Sequence, residues 1–214
     1  MINFYILTLF PEMLMTYAKG SILGRAERNK LIKINFVNFR KYAEGRHKTV
    51  DEKAYGGGPG MVLKIEPIYK AVKNIKKNIK GNVRVILFST RGKKFDQKNA
   101  RRLSKYKNIV LICGRYEGVD ERVARYIADE EISIGDFVLS GGELPAMILV
   151  ETISRYVPGV LGKYESLEEI KGFYPVYTRP EIFKPDKKKR KTWKAPKVLL
   201  SGDHAKISKW RNKF

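Results

Sequence analysis

Residues 1–156 alternate between short apolar runs and longer segments with helical periodicity. The apolar runs have the length of strands, and alternation of apolar and polar residues in one of them is typical of a half-buried strand. The five strand-like runs are Ile2–Leu9, Leu31–Phe39, Val83–Phe88, Ile109–Cys113 and Glu131–Ile134. One helical segment begins at Pro11, and four more occupy Pro67–Lys80, Asp96–Lys105, Asp120–Ile127 and Glu143–Tyr156. Repeated strand–helix units of this kind predict an α/β fold, with a mainly parallel sheet covered by helices on both faces.

Glycine and proline punctuate residues 158–175 and indicate a linker there. We therefore predict one domain over residues 1–157, a linker over 158–175 and a small domain over 176–214. A helix is expected after Ser201 in the small domain, which is too short to bury a large core of its own. We expect it to pack on a partner surface or on RNA.

The net charge is strongly positive, with 44 Lys and Arg against 22 Asp and Glu. Residues 157–214 carry 15 basic and 6 acidic side chains, so positive charge is denser there than in the rest of the chain. Such a charge favours a polyanionic partner bound through phosphate contacts. The alternative is a lysine-rich surface that is merely solvated.

Several classes of protein are disfavoured by composition. No apolar run approaches the roughly 18 residues that span a bilayer, and the apolar N-terminus is cut short at Pro11, so no membrane anchor or signal peptide is predicted. Cys113 is the single cysteine, which excludes an internal disulfide, and it lies in an apolar run that favours a buried, inert thiol. The two histidines leave little basis for a histidine metal centre. We expect a cytoplasmic protein with no protein-bound metal.

Three glycine-bearing polar segments follow apolar strands, over 88–92, 114–122 and 132–145. Loops at the carboxyl ends of parallel strands form the ligand sites of open α/β sheets. Each segment alone could be only a turn. None matches GxGxxG or a P-loop, so dinucleotide binding and ATP hydrolysis are unsupported.

Taken in order, five blocks of this sequence resemble the bacterial tRNA (guanine-N1)-methyltransferase family of the SPOUT class. The blocks are Tyr55–Met61, Gly114–Gly118, Ser133–Glu143, Tyr177–Pro180 and Leu200–His204. The resemblance extends from Met1 to about Arg211. It implies a SPOUT-type, mainly parallel sheet with a C-terminal trefoil knot, plus a small α-helical C-terminal domain.

The resemblance also implies the methyl donor and its site. The donor is S-adenosyl-L-methionine, held bent in the knot loops, and magnesium is left open. The residues that match the family's donor site are Phe88, Ser89, Thr90, Gly114, Tyr116, Glu117, Gly118, Ser133, Ile134, Gly135, Asp136, Phe137, Val138, Leu139, Gly141, Gly142 and Pro145.

The implied reaction is methylation of N1 of the guanine immediately 3′ of the anticodon in tRNA. The resemblance assigns Glu165 as the general base and Arg155 as the cation that stabilises charge on the guanine O6. RNA contacts are expected from Arg115, Ser166, Lys188 and Arg190. Members of the family form homodimers with active sites at the interface, and we expect the same here, with Glu165 completing the partner's site.

The sequence departs from the family pattern in four respects. The base is Glu165 where Asp is typical, and the linker before it is about five residues shorter. Phe173 stands where a second acid is expected, and the chain ends soon after Arg211, where typical members continue.

Two alternatives stay open, and the departures at Glu165 and Phe173 favour the first of them. The first is an RNA-binding protein that keeps the SPOUT fold without turnover. The second is a SPOUT methyltransferase that acts on another RNA position, such as a ribose 2′-oxygen. The Gly56–Gly60 block argues against the ribose enzymes, which lack it.

Overall fold

The structure of the chain is a computed structural model that describes residues 1–162, 172–185 and 191–214. Four residues assigned a role above, Glu165, Ser166, Lys188 and Arg190, lie outside the described residues. The chain divides into two compact units, Met1–Gly162 and Lys163–Phe214. The predicted three-part division into 1–157, 158–175 and 176–214 stays a prediction.

The first unit is built on a five-stranded sheet. Its strands are β1 (Ile2–Thr8), β2 (Ile32–Asn38), β5 (Val83–Lys94), β6 (Asn108–Ile112) and β7 (Glu130–Ser133). They lie in the order β2-β1-β6-β5-β7, and every neighbouring pair is parallel. The mainly parallel sheet predicted from the sequence is therefore confirmed. Two further strands, β3 (Asp51–Glu52) and β4 (Val62–Leu63), form a separate antiparallel ladder.

Helices cover both faces of this sheet. They are α1 (Glu12–Lys19), α2 (Ser21–Arg28), α3 (Ile65–Asn78), α4 (Gln97–Leu103), α5 (Glu121–Tyr126) and α6 (Glu143–Ser154), with a 3-10 helix at Phe39–Tyr42. In β6 the alternate side chains Ile109 and Leu111 join the core beneath α1, α2, α4 and α6. Val110 and Ile112 point the other way, into the core beneath α3 and α5. An uninterrupted apolar strand is stable at this place because both of its faces are buried.

Two local features differ from the sequence prediction. The helix expected after Pro11 is two helices, because Gly20 has an extended backbone (φ −83°, ψ 159°) that ends α1 and precedes α2. Strand β5 continues six residues beyond Phe88, the predicted end, to Lys94. Its pairing with β7 breaks after Phe88 and resumes at Lys93, so residues 89–92 bulge out of the ladder. This bulge shapes one side of the site described below.

The second unit contains more than the single helix predicted after Ser201. The strands β8 (Ile182–Phe183) and β9 (Trp193–Lys194) pair antiparallel, and the helices α7 (Lys197–Leu200) and α8 (His204–Arg211) follow. None of its described residues is buried, as expected for so short a segment.

Among the described residues, no helix has both the length and the apolar character needed to cross a membrane.

Candidate active site

A pocket of about 370 Å³ lies where the carboxyl ends of β5, β6 and β7 meet. Its volume is within the roughly 300–1,000 Å³ usual for small-molecule sites, and open parallel sheets bind ligands at this edge. The three strands run in the same direction, so the segments that follow them converge. The sheet thus assembles one concave site from segments distant in the sequence.

Three chain segments form the walls of this pocket. The first wall is residues 87–91, the second is residues 114–119, and the third is residues 132–142 without Asp136, together with Pro145. Glu121, Ala124 and Glu131 complete the lining. The walls coincide with the three glycine-bearing segments that the sequence singles out.

Of the seventeen residues matched to a donor site, sixteen line this pocket. Asp136 is the exception, since its exposed carboxylate pairs with Lys94 on β5. Arg115, matched to an RNA contact, lies in the second wall. Contact of these residues with a methyl donor stays a prediction.

The third wall offers a ligand mainly apolar side chains. Phe137 and Leu139 are exposed over 53% and 38% of their surface, although both are apolar. The Ser133 hydroxyl donates to the Gly135 carbonyl (3.0 Å) and accepts from the Gly135 N–H (3.2 Å), so the turn satisfies its own polar side chain. Such a wall suits a planar aromatic ligand.

The second and third walls touch through their backbones at Gly142. Its N–H donates to the Gly114 carbonyl (3.0 Å), and a Cβ added at Gly142 would lie 2.7 Å from the Cys113 Cα. Any side chain there would push the two walls apart. Glycine is therefore required by the close approach and not only by a turn.

Gly142→Ala is expected to weaken binding of S-adenosylhomocysteine, the product that the donor becomes when it loses its methyl group, by about tenfold or more. The reason is that a shift of about 1 Å in the position of a binding group is costly. Isothermal titration calorimetry of the purified protein measures the dissociation constant. Gly162→Ala is the matched control, since its Cβ would meet nothing within 4 Å. Equal affinities in the two variants would contradict the packing argument.

A strained residue lies in the second wall. Tyr116 has φ 58°, a left-handed conformation that costs a non-glycine residue roughly 1–3 kcal/mol and persists where the surroundings enforce it. The surroundings are backbone hydrogen bonds to the segment after the glycine-rich Gly56–Gly60 loop. The Glu117 N–H donates to the Met61 carbonyl, and the Leu63 N–H donates to the Gly118 carbonyl, both at 3.0 Å. The second wall is thus fixed from outside the sheet.

A cluster of one cation and two acids at the pocket was missed by sequence reasoning. Arg91 Nη2 lies 2.7 Å from Glu121 Oε2 and 3.8 Å from Glu131 Oε2. The hydrogen bond from Arg91 holds the pKa of Glu121 below its ordinary value. Among the described residues, no group hydrogen bonds to the buried Glu131 Oε2. Arg91 and Glu121 lie in two different glycine-bearing segments, and Glu131 lies just before the third, so their proximity could not be read from the sequence.

Cys113 lies directly behind the second wall and is fully buried. Burial, with a smaller contribution from the nearby Glu143, raises the pKa of the Cys113 thiol well above its ordinary value. The thiol is therefore protonated at neutral pH and inert, as the sequence predicted.

Arg155 follows the last residue of α6, and the first turn of the same helix carries Pro145 into the pocket. A rise of about 1.5 Å per residue puts the two ends of this helix roughly 18 Å apart. That exceeds the reach of an arginine side chain. Among the described residues, none pairs with the Arg155 guanidinium, and Glu165 lies outside them.

The match to a family model decides the family. The model described as tRNA (Guanine-1)-methyltransferase TrmD matches residues 2–214. This chain belongs to the tRNA (guanine-1)-methyltransferase family. A relative from Carboxydothermus hydrogenoformans named tRNA (guanine-N(1)-)-methyltransferase is 49% identical, over 97% of this chain and 80% of its own length. A relative of the same name from Ruminiclostridium cellulolyticum is 46% identical, over 98% of this chain and 89% of its own.

A solved member of the family has a similar structure. The crystal structure of tRNA (m1G37) methyltransferase from Aquifex aeolicus superimposes with a TM-score of 0.81 at 40% identity. The match covers 98% of this chain and 87% of that one. The sheet and its helices are therefore those of the family.

Within the described ranges, no group of three or more His, Cys, Asp and Glu side chains is placed to hold a metal ion.

Proposed function

We propose that this chain transfers a methyl group from S-adenosyl-L-methionine to N1 of the guanine immediately 3′ of the anticodon in tRNA. The observation that carries the proposal is the pocket, which is lined by sixteen of the seventeen residues that match the family's donor site. Relatives that share 46–49% of their residues with this chain over nearly its whole length are named for this activity.

The pocket's residues fit the proposed donor. Apolar side chains of the third wall, Phe137 and Leu139 among them, provide a slot for the adenine ring. The close contact of Gly142 with Cys113 brings backbone groups to the pocket's edge, where they recognise polar atoms of a ligand. S-adenosyl-L-methionine supplies a methyl group on a sulfonium, and the protein's task is to align a nucleophile with it.

Guanine N1 carries a proton that must leave when the nitrogen attacks the methyl group. We assign its removal to Glu165, since a carboxylate at hydrogen-bond distance serves as a general base. Negative charge then grows on the guanine O6, and we assign its stabilisation to the Arg155 guanidinium.

A homodimer with active sites at the interface reconciles these roles with the geometry. Arg155 and the pocket lie at opposite ends of α6, so Arg155 serves the pocket of a partner subunit. An apolar face suitable for a second copy lies on α1 and α6 of the first unit, where Met13, Tyr17, Leu144 and Ile148 are each more than 40% exposed.

The RNA contacts are assigned by charge and by the resemblance. The chain's net charge of +22 favours phosphate contacts, with Ser166, Lys188 and Arg190 among the contacting residues. The knot, the small C-terminal tRNA-binding domain over 176–214 and a cytoplasmic location are parts of the same proposal.

The test is methyl transfer by the purified full-length protein to tRNA bearing guanine 3′ of the anticodon. Mass spectrometry of the digested nucleosides is expected to find 1-methylguanosine, and none with tRNA bearing adenine at that position. A 2′-O-methylated product would favour the ribose alternative, and RNA binding without any product would favour the binding-protein alternative. The same methyl-transfer assay in the presence of EDTA decides whether magnesium is required.

A further inference from the structure

The buried acid Glu143 begins α6 directly behind the pocket. Its side chain is 3% exposed, and burial of a carboxylate requires compensating partners. The Thr8 hydroxyl, at the end of β1, donates to Glu143 Oε1 at 2.7 Å. Glu143 Oε2 lies 3.0 Å from Arg115 Nε, close enough for an ion pair although the alignment is not that of a hydrogen bond. Glu143 therefore joins strand β1 to the second wall.

Arg115 is turned into the protein, with a side chain only 16% exposed. Its guanidinium lies 4.8 Å from the centre of the Phe10 ring. Nη1 donates to the Ser140 carbonyl and Nη2 to the Met13 sulfur, both at 3.4 Å. All three guanidinium nitrogens thus have partners within the chain. A phosphate would have to compete with these contacts.

The path of the Arg115 side chain crosses the third wall at Gly141. A Cβ added at Gly141 would lie 2.4 Å from Arg115 Nε, so this glycine leaves room for the arginine to pass. The same guanidinium holds the carbonyl of Ser140, the preceding residue. Arg115 therefore ties the second wall to the third next to their backbone contact.

We propose that Arg115, Glu143 and Thr8 form a positioning unit for the donor pocket. Its task is to hold the second and third walls in register, and Arg115 acts there instead of contacting RNA. The proposal deepens the function proposed above and rests on it, because it treats the pocket as the donor site. The unit sets donor affinity, and it does not touch the reacting atoms.

The test measures donor affinity and tRNA affinity separately. Arg115→Lys keeps the charge but loses the planar guanidinium, whose three nitrogens each contact a different partner. We expect its dissociation constant for S-adenosylhomocysteine, measured by calorimetry without RNA, to rise about tenfold or more. The dissociation constant for tRNA, measured by filter binding without donor, should change by less than about twofold. Arg28→Lys, the same change at an exposed arginine of α2, is the matched control.

A double-mutant cycle tests whether the residues act as one unit. Glu143→Gln should weaken S-adenosylhomocysteine binding as well, and the Arg115→Lys/Glu143→Gln double variant should lose little more than the worse single variant. Thr8→Val, which preserves shape and removes the hydroxyl, gives the same readout if Glu143→Gln fails to fold. Losses that simply multiply in the double variant would overturn the proposal.

A second result would also overturn it. If Arg115 contacts phosphate, Arg115→Lys would leave S-adenosylhomocysteine affinity unchanged, and Arg115→Ala would weaken tRNA binding and reduce its salt dependence by about one phosphate contact. The function proposed above fails in a different way. If that function is wrong, the unaltered protein binds S-adenosylhomocysteine and still yields no 1-methylguanosine.

Discussion

Arg155→Ala is expected to lower kcat for tRNA methylation by about a hundredfold or more, because loss of one preorganised donor to a developing oxyanion costs that much. S-adenosylhomocysteine binding should be unchanged, since the pocket is lined by other residues. Single-turnover transfer of labelled methyl groups measures the chemical step, and calorimetry measures donor binding. Arg155→Lys, which keeps a charge without the planar fork, should recover only part of the rate.

Glu165→Ala should give a loss of similar size by a different route, because it removes the carboxylate to which we assign removal of the N1 proton. In Glu165→Asp, which has the acid typical of the family, the rate should change less than in Glu165→Ala. Near-normal turnover in both alanine variants would refute the base and cation assignments.

Subunit complementation extends this test to the dimer. An Arg155→Ala chain retains a sound pocket, and a Gly142→Ala chain retains a sound Arg155. If Arg155 serves the partner's pocket, mixed dimers of the two variants contain one complete site and, at a donor concentration too low to fill the Gly142→Ala pocket, should be more active than either variant alone. If Arg155 acts within its own chain, no mixed dimer contains a complete site and the mixture is no more active than the variants alone.

Glu130→Gln is expected to destabilise the first unit by about 2 kcal/mol, less than the roughly 3–5 kcal/mol for a fully buried pair because the partners are part-exposed. Glu130 Oε1 accepts from Arg84 Nε at 2.8 Å, and Oε2 accepts from Arg102 Nη2 at 2.7 Å. These bonds join β7 to β5 and α4. The variant leaves two half-buried guanidinium groups without their counter-charge. Urea unfolding followed by circular dichroism measures the loss, and Glu12→Gln at an exposed position is the control.

The Glu130 prediction has a definite pH dependence. Burial raises the pKa of the Glu130 carboxyl, but the hydrogen bonds from Arg102 and Arg84 outweigh it, and the pKa lies below its ordinary value of 4.5. A carboxyl with a lowered pKa stabilises the fold above its unfolded pKa, and this is lost as the pH falls through the folded pKa. The difference in unfolding free energy between the native chain and Glu130→Gln should be constant from pH 6 to 8 and shrink below about pH 4.5. If this difference in unfolding free energy does not depend on pH, the shape of the Glu130 side chain and not its charge accounts for the destabilisation.

The sequence by itself determined the fold class and the blocks that form the pocket. Apolar runs such as Ile109–Cys113 could bury both faces only as inner strands of a parallel sheet, and β6 has that place. The glycine-bearing segment 132–145 was predicted to be a ligand loop after a strand, and it forms the third wall of the pocket. Patterns of this kind are local, so they can be read along the chain.

Only the tertiary structure decided which distant residues act together. Nothing near Thr8 in the sequence suggests a partner 135 residues away, yet its hydroxyl binds Glu143. The assignment of Arg115 to an RNA contact stays a prediction, and only the structure shows that its guanidinium lies beside Ser140 and Glu143. Arg155 lies a helix length from the pocket of its own chain. Such relations depend on strand order and helix length, which bring side chains together or separate them in space, and sequence spacing does not encode those distances.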